Sequence, residues 1–315
     1  MSSEVLQVDP PPPLVIGVST RALFNLEEEH RVFQEEGVAA YIKLQLEREK
    51  TVLEKGTAFE VIRRLLALNP EGAPRLVEVI VMSRNSPDLS LRAFHSIEHY
   101  GLKIERGSFT SGRSVAPFIK AWNIDLFLSN EEEDVRGAVA AGAAAAKLGA
   151  PPSEQCEAPG DEVRIALDGD AVVFSDESDL IYNTQGLAAF LTNERNNAQV
   201  PMSRGPFGNF LHKLSVLRRQ VGHDEFTSRV RIAIVTARNA PAHARVVHTL
   251  RAWGTPADEA HFVGTHAKAP ILKAFGAHIF FDDQAKHVFG AAGVVSAGLV
   301  PGPHDPANPV IPASA

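Results

Sequence analysis

Two aspartates stand one residue apart where the apolar segment 163–167 ends, and they are the strongest chemical signal in this chain. In an extended strand, residues i and i+2 point to the same side, so Asp168 and Asp170 can face one site. That site would lie at the carboxyl end of the strand, where open α/β sheets bind ligands. Two adjacent carboxylates repel each other unless a cation such as Mg²⁺ lies between them. The pair therefore suits phosphoryl chemistry, with one aspartate as nucleophile and the other as acid and base.

Taken alone, the Asp-x-Asp pattern is also typical of a loop cap, a pair of Ca²⁺ ligands or the metal motif of glycosyltransferases. Four further residues favour phosphoryl chemistry, because each stands where a strand is predicted to end or a helix to begin. Thr236 closes an apolar run, and Lys268 precedes a predicted helix. Asp282 and Asp283 close a later apolar run. A glycosyltransferase would not need these additional residues.

Each of these residue types has a function in phosphoryl transfer. Thr236 and the backbone N–H groups that follow it can donate hydrogen bonds to a phosphate at a helix N-terminus. Lys268 can neutralise the charge on the phosphoryl oxygens during transfer. Mg²⁺ prefers carboxylate oxygens, which Asp168 and one of Asp282 and Asp283 can supply. The sequence does not decide which member of the second pair contacts the metal.

Short apolar segments alternate with helical patterns, which predicts an α/β fold with parallel sheets. An insert over about 175–228 follows the Asp-x-Asp strand, and its length predicts a cap above the site. Helical patterns fall within it at 185–193 and 207–219. The predicted strands of this part of the chain are 163–168, 231–236, 259–263 and 278–282, and the predicted helices lie near 240–253, 267–275 and 284–292.

The two halves of the chain resemble each other, which predicts an internal duplication. Gly205 lies 149 residues after Gly56, and further along the segment 79–135 aligns without gaps on 232–288 at an offset of 153. The predicted organisation is a disordered N-terminus at 1–13, a first half at 14–147, a linker at 148–161, a catalytic half at 162–303 and a tail at 304–315.

The first half lacks the residues that the chemistry requires. At the matched positions, Ser19 and Arg21 replace the Asp-x-Asp pair, Ser83 replaces the threonine, and Val115 replaces the lysine. We therefore predict that this half is catalytically silent. Hydrogen-bond donors at its predicted strand ends could still bind a nucleotide phosphate. The residues of this candidate regulatory site are Ser19, Arg21, Ser83, Thr110 and Gly112.

Composition excludes several classes of protein. The 315 residues suggest about two domains, and a net charge of −7 provides no basic field for nucleic acid. Cys156 is the one cysteine, so no internal disulfide can form. The N-terminal segment lacks the basic and apolar regions of a signal peptide, and no apolar run reaches the length of a membrane span. We predict a cytoplasmic protein with no membrane association.

The four motifs resemble those of the haloacid dehalogenase superfamily of Mg²⁺-dependent aspartyl phosphotransferases. Longer strings resemble the cytosolic 5′-nucleotidase I family, and the similarity extends over about residues 14–303. These strings are Asp168-Gly169-Asp170-Ala171-Val172, Phe174-Ser175-Asp176-Glu177-Ser178, Val235-Thr236-Ala237-Arg238, His278-Ile279-Phe280-Phe281-Asp282-Asp283-Gln284 and, in the first half, Val18-Ser19-Thr20-Arg21-Ala22-Leu23-Phe24.

The resemblance implies a Rossmann-like haloacid dehalogenase fold with a helical cap, and Mg²⁺-dependent hydrolysis of nucleoside 5′-monophosphates such as AMP. By position, Asp168 would form an aspartyl-phosphate. Asp170 would protonate the leaving oxygen and then activate water, and its backbone carbonyl would join the metal ligands. Thr236 and Lys268 would hold the phosphoryl group. The predicted substrate contacts are Gly169, Ala171, Phe174, Phe207, Ala237 and Arg238.

The resemblance also implies activation by nucleoside diphosphates through the first half, and the duplicated chain could assemble into a homo-oligomer. Two alternatives remain open. One is a phosphatase of the same superfamily that acts on another small phosphomonoester, such as a sugar phosphate. The other is a nucleotide sensor without catalysis, which is disfavoured because all four motifs are present in the second half.

Overall fold

The computed structural model describes residues 11–153, 160–222 and 227–302. The strands are β1 (Leu14–Val18), β2 (Phe24–Asn25), β3 (Glu54–Lys55), β4 (Val77–Ser83), β5 (Arg106–Phe109), β6 (Leu126–Ser129), β7 (Ala144–Leu148), β8 (Val163–Leu167), β9 (Val230–Thr236), β10 (Glu259–Phe262), β11 (Ile279–Asp282) and β12 (Ser296–Leu299). The helices are α1 (Thr20–Leu23), α2 (Glu27–Glu36), α3 (Val38–Glu47), α4 (Phe59–Leu66), α5 (Ser90–His99), α6 (Ala116–Ala121), α7 (Glu132–Ala140), α8 (Glu177–Asn196), α9 (Gly208–Val221), α10 (His243–Ala252), α11 (Ala269–Phe275) and α12 (Ala285–Ala291).

Ten of these strands form one sheet in the order β10-β9-β8-β11-β12-β7-β6-β1-β4-β5. Neighbouring strands are parallel, except that β12 pairs antiparallel with β7 through Gly298↔Leu148 and Leu299↔Lys147. Strands β2 and β3 form a separate two-stranded antiparallel ribbon. Because of the antiparallel join, strands β1 and β4–β6 end at one edge of the large sheet, and β8–β11 end at the opposite edge.

The predicted α/β class with a largely parallel sheet is confirmed. The sequence analysis predicts parallel sheets, and the structure shows in addition that the two halves join in one sheet through an antiparallel pair. Strands β7 and β12 are each the last strand of their half, and their pairing satisfies backbone groups that two exposed sheet edges would leave open.

Matching strands in the two halves are related by constant offsets. Strand β8 begins 149 residues after β1, and β9, β10 and β11 each begin 153 residues after β4, β5 and β6. The order of matching strands also reads the same from either end of the sheet. The first strand of each half therefore has matching neighbours, since β1 lies between β4 and β6 and β8 lies between β9 and β11.

Helices cover both faces of the sheet. On one face, α4 and α9 pack with alternate strand residues such as Ile16 and Ile165 in a single core that spans both halves. On the other face, α6 and α7 cover the first half around Phe127, and α11 and α12 cover the second half around Phe280. Because the inner strands are buried on both faces, their sequences are almost continuously apolar.

The predicted elements of the second half lie within a few residues of the observed ones, except α8, which is longer than predicted, and β12, which the sequence analysis missed. Its segment Ser296-Ala297-Gly298-Leu299 itself contains no β-branched or aromatic residue, and the β-branched residues Val294, Val295 and Val300 only flank it. Within the insert, α8 begins at Glu177, well before the predicted pattern, and it bends at Gly186, which has φ 80° and ψ 177°.

Several predictions lie outside the described residues. They are the disorder of residues 1–10, the part of the linker at 154–159 with Cys156, and the tail at 304–315. Among the described helices, none is both long enough and apolar enough to cross a membrane.

Candidate active site

The chain makes a wide turn immediately after β8. Asp168 continues the strand pairing, since its N–H donates to the carbonyl of Phe281 at 2.8 Å. The following turn over 169–173 closes when the N–H of Phe174 donates to the carbonyl of Gly169 at 2.9 Å. Within the turn Ala171 has φ 57°, a left-handed conformation that is uncommon outside glycine. The turn reverses the chain and leaves both aspartates buried at the carboxyl edge.

Three adjacent strands bring three predicted site residues together. Strand β8 lies between β9 and β11, so Asp168, Thr236 and Asp282 follow one another along the same sheet edge. Gly169 allows the turn to approach β9 closely, because a Cβ there would lie 3.1 Å from Thr236 Oγ1. Parallel pairing therefore assembles residues that are far apart in the sequence, as predicted for this kind of sheet.

Lys268 lies between two of the carboxylates. It precedes α11, and its Nζ is 2.7 Å from Asp168 Oδ1 and 2.6 Å from Asp282 Oδ2. Burial alone would lower the pKa of Lys268, but the charges of Asp168 and Asp282 outweigh it and the pKa lies above its ordinary value. The lysine is therefore a fixed positive charge at the site.

The two aspartates that end β11 differ in their surroundings. Asp282 accepts a hydrogen bond from the N–H of Gln284 at 2.8 Å, and His287 Nδ1 lies 3.1 Å from its Oδ2. Burial would raise the pKa of Asp282, yet the hydrogen bond from His287 and the charge of Lys268 bring it below its ordinary value. Asp283 Oδ1 is buried and has no hydrogen-bond partner within the part of the chain that is described.

The carboxylates of Asp168, Asp282 and Asp283 form a compact acidic group. One oxygen from each lies within 4.8 Å of the others. Burial raises the pKa of Asp168 to about 7, against the opposing charge of Lys268. Burial, together with the charges of Asp168 and Asp282, raises the pKa of Asp283 to about 8. Hard oxygen donors, mutual repulsion and an unpartnered carboxylate oxygen are the features that a small divalent cation would satisfy.

The carboxylate of Asp170 points to a different partner. Arg238 donates from Nε to Asp170 Oδ2 at 2.7 Å and from Nη2 to Asp170 Oδ1 at 2.6 Å. The third nitrogen of the guanidinium, Nη1, pairs with Glu194 Oε2 at the end of α8. Asp170 is therefore tied by its side chain to the insert, whereas the metal-suited group is formed by the other three aspartates.

Thr236 and Ala237 lie at the start of the loop after β9. The Oγ1 of Thr236 accepts a hydrogen bond from the N–H of Arg238 at 3.2 Å, which fixes the hydroxyl beside the turn after β8. The side chain is almost completely buried. Thr236 therefore lies at the carboxyl edge of the sheet, beside Gly169.

The structure does not bring the two predicted aromatic contacts to the surface of the site. Phe174 and Phe207 are fully buried. Phe207 packs on Phe281 with ring centroids 4.8 Å apart, and Phe174 packs on Trp253 at 5.6 Å. Both rings belong to the core beneath the insert, which leaves no open face on which a base could stack.

The residues of the predicted regulatory site lie at the opposite sheet edge. Arg21 is held by Glu27 at 2.8 Å and by Glu131 at 2.8 Å. Ser83 Oγ accepts a hydrogen bond from the N–H of Asn85 at 3.1 Å. Thr110 and Gly112 belong to the turn after β5, where Gly112 has φ 83°. The carboxylates of Glu27 and Glu131 therefore occupy the guanidinium of Arg21.

Three residues near the site have no signal in the sequence. Glu194 is fully buried and holds Arg238, and His287 contacts Asp282. Asp179, near the start of α8, has its pKa raised to about 7 by burial and by the charges of Asp170 and Asp168. Each has polar neighbours in the sequence that do not distinguish it, so only the tertiary structure shows what it faces.

The fold and the site together define an α/β protein in which clustered aspartates and a buried lysine occupy the carboxyl edge of a parallel sheet. A family model described as 5′-nucleotidase matches residues 7–306. The chain is also 33% identical over 296 residues to human cytosolic 5′-nucleotidase 1B, and the alignment covers 90% of this chain and 48% of that relative. This chain belongs to the 5′-nucleotidase family, as its motifs predicted. It spans about half the length of the curated relative.

Proposed function

We propose that the chain hydrolyses nucleoside 5′-monophosphates through an aspartyl-phosphate, with Mg²⁺ as cofactor. One observation carries the proposal. Lys268 bridges Asp168 and Asp282 at the carboxyl edge, while the buried Oδ1 of Asp283 lacks a hydrogen-bond partner among the described residues. This arrangement offers a nucleophile, a fixed positive charge and a cation site within one small volume.

The first step is attack of an Asp168 carboxylate oxygen on phosphorus. A bond forms between that oxygen and phosphorus, and the bond from phosphorus to the ribose 5′-oxygen breaks. The leaving oxygen takes a proton from Asp170, which releases the nucleoside. In the second step Asp170 removes a proton from water, the hydroxyl attacks phosphorus, and phosphate leaves with the Asp168 carboxylate restored.

Lys268 and Thr236 act on the transferred group. The fixed ammonium of Lys268 stabilises charge on the phosphoryl oxygens without reorganisation during the reaction. Thr236 Oγ1 can donate to one of these oxygens, and the N–H groups of Gly169, Ala171 and Ala237 lie in the adjoining loops as further donors.

Asp168, Asp283 and the backbone carbonyl of Asp170 are the proposed metal ligands. Asp283 is favoured over Asp282 as the direct ligand, because Asp282 already contacts Lys268, His287 and the N–H of Gln284. Mg²⁺ bound there would offset the charge of the carboxylates and polarise a phosphoryl oxygen.

The remaining parts of the proposal concern organisation. We propose a haloacid dehalogenase-type catalytic unit at 162–303, joined by a linker at 148–161 to a duplicated half at 14–147 that does not catalyse. Within the insert at 175–228, α8 is the proposed cap segment, because α9 packs on the face of the sheet. The relative is a cytosolic 5′-nucleotidase, which supports the nucleotide substrate and a cytoplasmic location. Nucleoside diphosphate activation and self-association are further proposals from the resemblance, and the carboxylates around Arg21 do not support a phosphate site there.

Phosphate release tests the proposal. A panel of nucleoside 5′-monophosphates and sugar phosphates is assayed with Mg²⁺ or with EDTA, using wild type and Asp168→Asn. We expect release from one or more nucleotides that requires the metal and is lost in the variant. Release from sugar phosphates alone would move the proposal to another phosphomonoesterase, and no release from any compound, with or without added ADP, would favour a nucleotide sensor.

A further inference from the structure

The guanidinium of Arg238 is fully engaged on its two sides. The edge formed by Nε and Nη2 meets both oxygens of Asp170, and Nη1 meets Glu194. The residue is 4% exposed, and its guanidinium carbon lies 5.5 Å from the ring centre of Phe190. Such a planar fork on a carboxylate fixes the direction of both groups, which a point charge cannot do.

Glu194 is itself held from several directions. Its Oε1 accepts from Ser178 Oγ at 2.9 Å and from Arg245 Nη1 at 3.0 Å. Burial would raise the pKa of Glu194, but the charge of Arg238 outweighs burial and the pKa lies below its ordinary value. A buried charged carboxylate with partners on α8 and α10 is a rigid anchor for the guanidinium.

The first half provides an internal control for this network. Position 45 corresponds to Glu194 at an offset of 149, and positions 85 and 92 correspond to Arg238 and Arg245 at an offset of 153. These positions hold Gln45, Asn85 and Arg92.

Arg92 Nη1 donates to Gln45 Oε1 on α3 at 2.8 Å. This contact corresponds to the one between Arg245 and Glu194 on α8, so it exists in both halves. Asn85 instead accepts from Tyr41 OH at 2.9 Å, and Tyr41 OH also accepts from Gln45 at 3.0 Å. In the first half, α3 therefore packs without an arginine at position 85. The arginine fork occurs in the half that has Asp170, which separates its role from packing of the helix.

We propose that Arg238 is a positioning residue that orients the carboxylate of Asp170, and that Glu194 orients Arg238, so that the seating of α8 sets the direction of Asp170. This inference rests on the proposed function, in which Asp170 acts on the leaving oxygen. Each Asp170 oxygen accepts one hydrogen bond from the fork and keeps a further lone pair for the reaction. Arg238 is thereby assigned a role different from the substrate contact that the sequence analysis predicts.

The role can be tested with leaving groups of different basicity. The ribose 5′-oxygen must be protonated as it leaves, whereas the nitrophenolate of p-nitrophenyl phosphate leaves without a proton. The value of kcat/KM reports the first step, in which the leaving group departs. A residue that orients the proton donor therefore affects the two substrates differently, whereas a phosphate ligand affects them alike.

Two variants remove the fork in different ways. Arg238→Lys keeps the charge but cannot bind both carboxylate oxygens in a plane. The double variant Arg238→Asn with Glu194→Gln introduces the side chains of the matched positions and removes one charge of each sign. Arg204→Met is the matched control, because Arg204 is an exposed arginine that pairs with Asn209 and lies over Trp253.

For both fork variants we expect kcat/KM to fall about 10²-fold on AMP and less than about 10-fold on p-nitrophenyl phosphate, with the control unchanged. An equal loss on both substrates with a raised KM would show that Arg238 binds the phosphate and would overturn the proposal. An equal loss with a lowered melting temperature in both variants would assign a structural role and would also overturn it.

Crystal structures of wild type and Arg238→Lys supply a readout that needs no turnover. We expect the Asp170 carboxylate to adopt a different side-chain rotamer in the variant, while Asp168 and Lys268 stay in place. An unchanged Asp170 would refute the positioning role. If wild type hydrolyses neither substrate, the proposed function fails, and the crystal structures still decide whether Arg238 orients Asp170.

Discussion

The carboxyl edges of the two halves have matching hydrogen bonds at their strand ends, but they differ in the charged groups placed there. Thr236 accepts from the N–H two residues later, as Ser83 does, and Asp282 accepts from the N–H two residues later, as Ser129 does. The strand-end residues therefore cap the following loop in both halves. In the second half, Asp282 has a second carboxylate oxygen, and it faces Lys268. The comparison teaches that a shared scaffold positions the chemistry but does not supply it.

The turns after β1 and β8 differ by one residue. Ser19 accepts from the N–H of Ala22 and begins the short helix α1. After Asp168 the turn is wider, and the buried Phe174 lies 150 residues after the buried Phe24, whereas Asp168 lies 149 residues after Ser19. The added residue widens the loop that presents Asp170. A small change in length thus distinguishes a capped helix from a turn that carries a second carboxylate.

The largest expected difference in turnover is between variants at Asp168 and Ser19, the first residues of the two turns. Asp168→Asn removes the nucleophile, so we expect turnover of a nucleoside monophosphate to fall by about 10⁴-fold or more. Ser19→Ala, at the matched position, should leave turnover within about twofold, because its edge lacks the acidic group. Steady-state assays of both variants measure the contrast. A comparable loss in Ser19→Ala would mean that the first half takes part in catalysis.

The second contrast concerns the matched glycines Gly56 and Gly205. A Cβ at Gly205 would lie 2.2 Å from the carbonyl oxygen of Phe174, whereas one at Gly56 would lie 2.7 Å from that of Ala22. We expect Gly205→Ala to lower the free energy of unfolding by about 3 kcal/mol and Gly56→Ala by less. Both alanines would meet backbone atoms, which cannot move aside as a side chain can, and the contact at Gly205 is the closer one. Urea unfolding gives both values. Equal losses would indicate that the turns relax to the same extent.

The third contrast is a pH dependence of the metal-free protein. Burial raises the pKa of Asp283 to about 8, so the folded chain retains a proton that the unfolded chain releases near pH 4. The stability of wild type should therefore fall as pH rises through this window. Asp283→Asn should remove part of that fall and be more stable than wild type by on the order of 1 kcal/mol at pH 8.5 in EDTA.

Thermal unfolding at pH 5 and pH 8.5 checks this prediction. Asp88→Asn serves as the control variant, since Asp88 is exposed and lies outside the acidic group. If Asp283→Asn and wild type kept the same difference at both pH values, the acidic group would not destabilise the metal-free fold.

The last contrast concerns two glycines, Gly37 between α2 and α3 and Gly186 within α8. Gly37 has φ 86° and ψ −179°, and Gly186 has φ 80° and ψ 177°, with open space around both. Alanine at either position should lower stability by about 1–2 kcal/mol through backbone strain alone. Only Gly186→Ala should also change activity, because α8 holds Glu194 against Arg238. Unfolding and turnover of the two variants separate the effects, and unchanged activity in Gly186→Ala would disconnect the bend from the site.

The sequence was sufficient for the features that depend on local pattern. Alternating apolar and helical segments predicted the α/β class. Polar residues at strand ends predicted that Asp168, Thr236, Asp282 and Asp283 lie close together, because parallel strands bring their carboxyl ends to one edge, and Lys268 was added to this group from its place before a helix. The constant offsets between the halves were also visible in the sequence. The family follows from the same motifs, as the comparisons show.

Only the tertiary structure decided the features that depend on packing between distant segments. The antiparallel join of β7 and β12 places the two edges on opposite sides, and nothing in either strand encodes that direction. Phe174 and Phe207 could serve in a core or in a site, and burial assigned them to the core. Only the structure identifies Glu194 as the anchor of Arg238. A buried charge is stable because of the groups that surround it, and the groups around Glu194 lie far away along the chain.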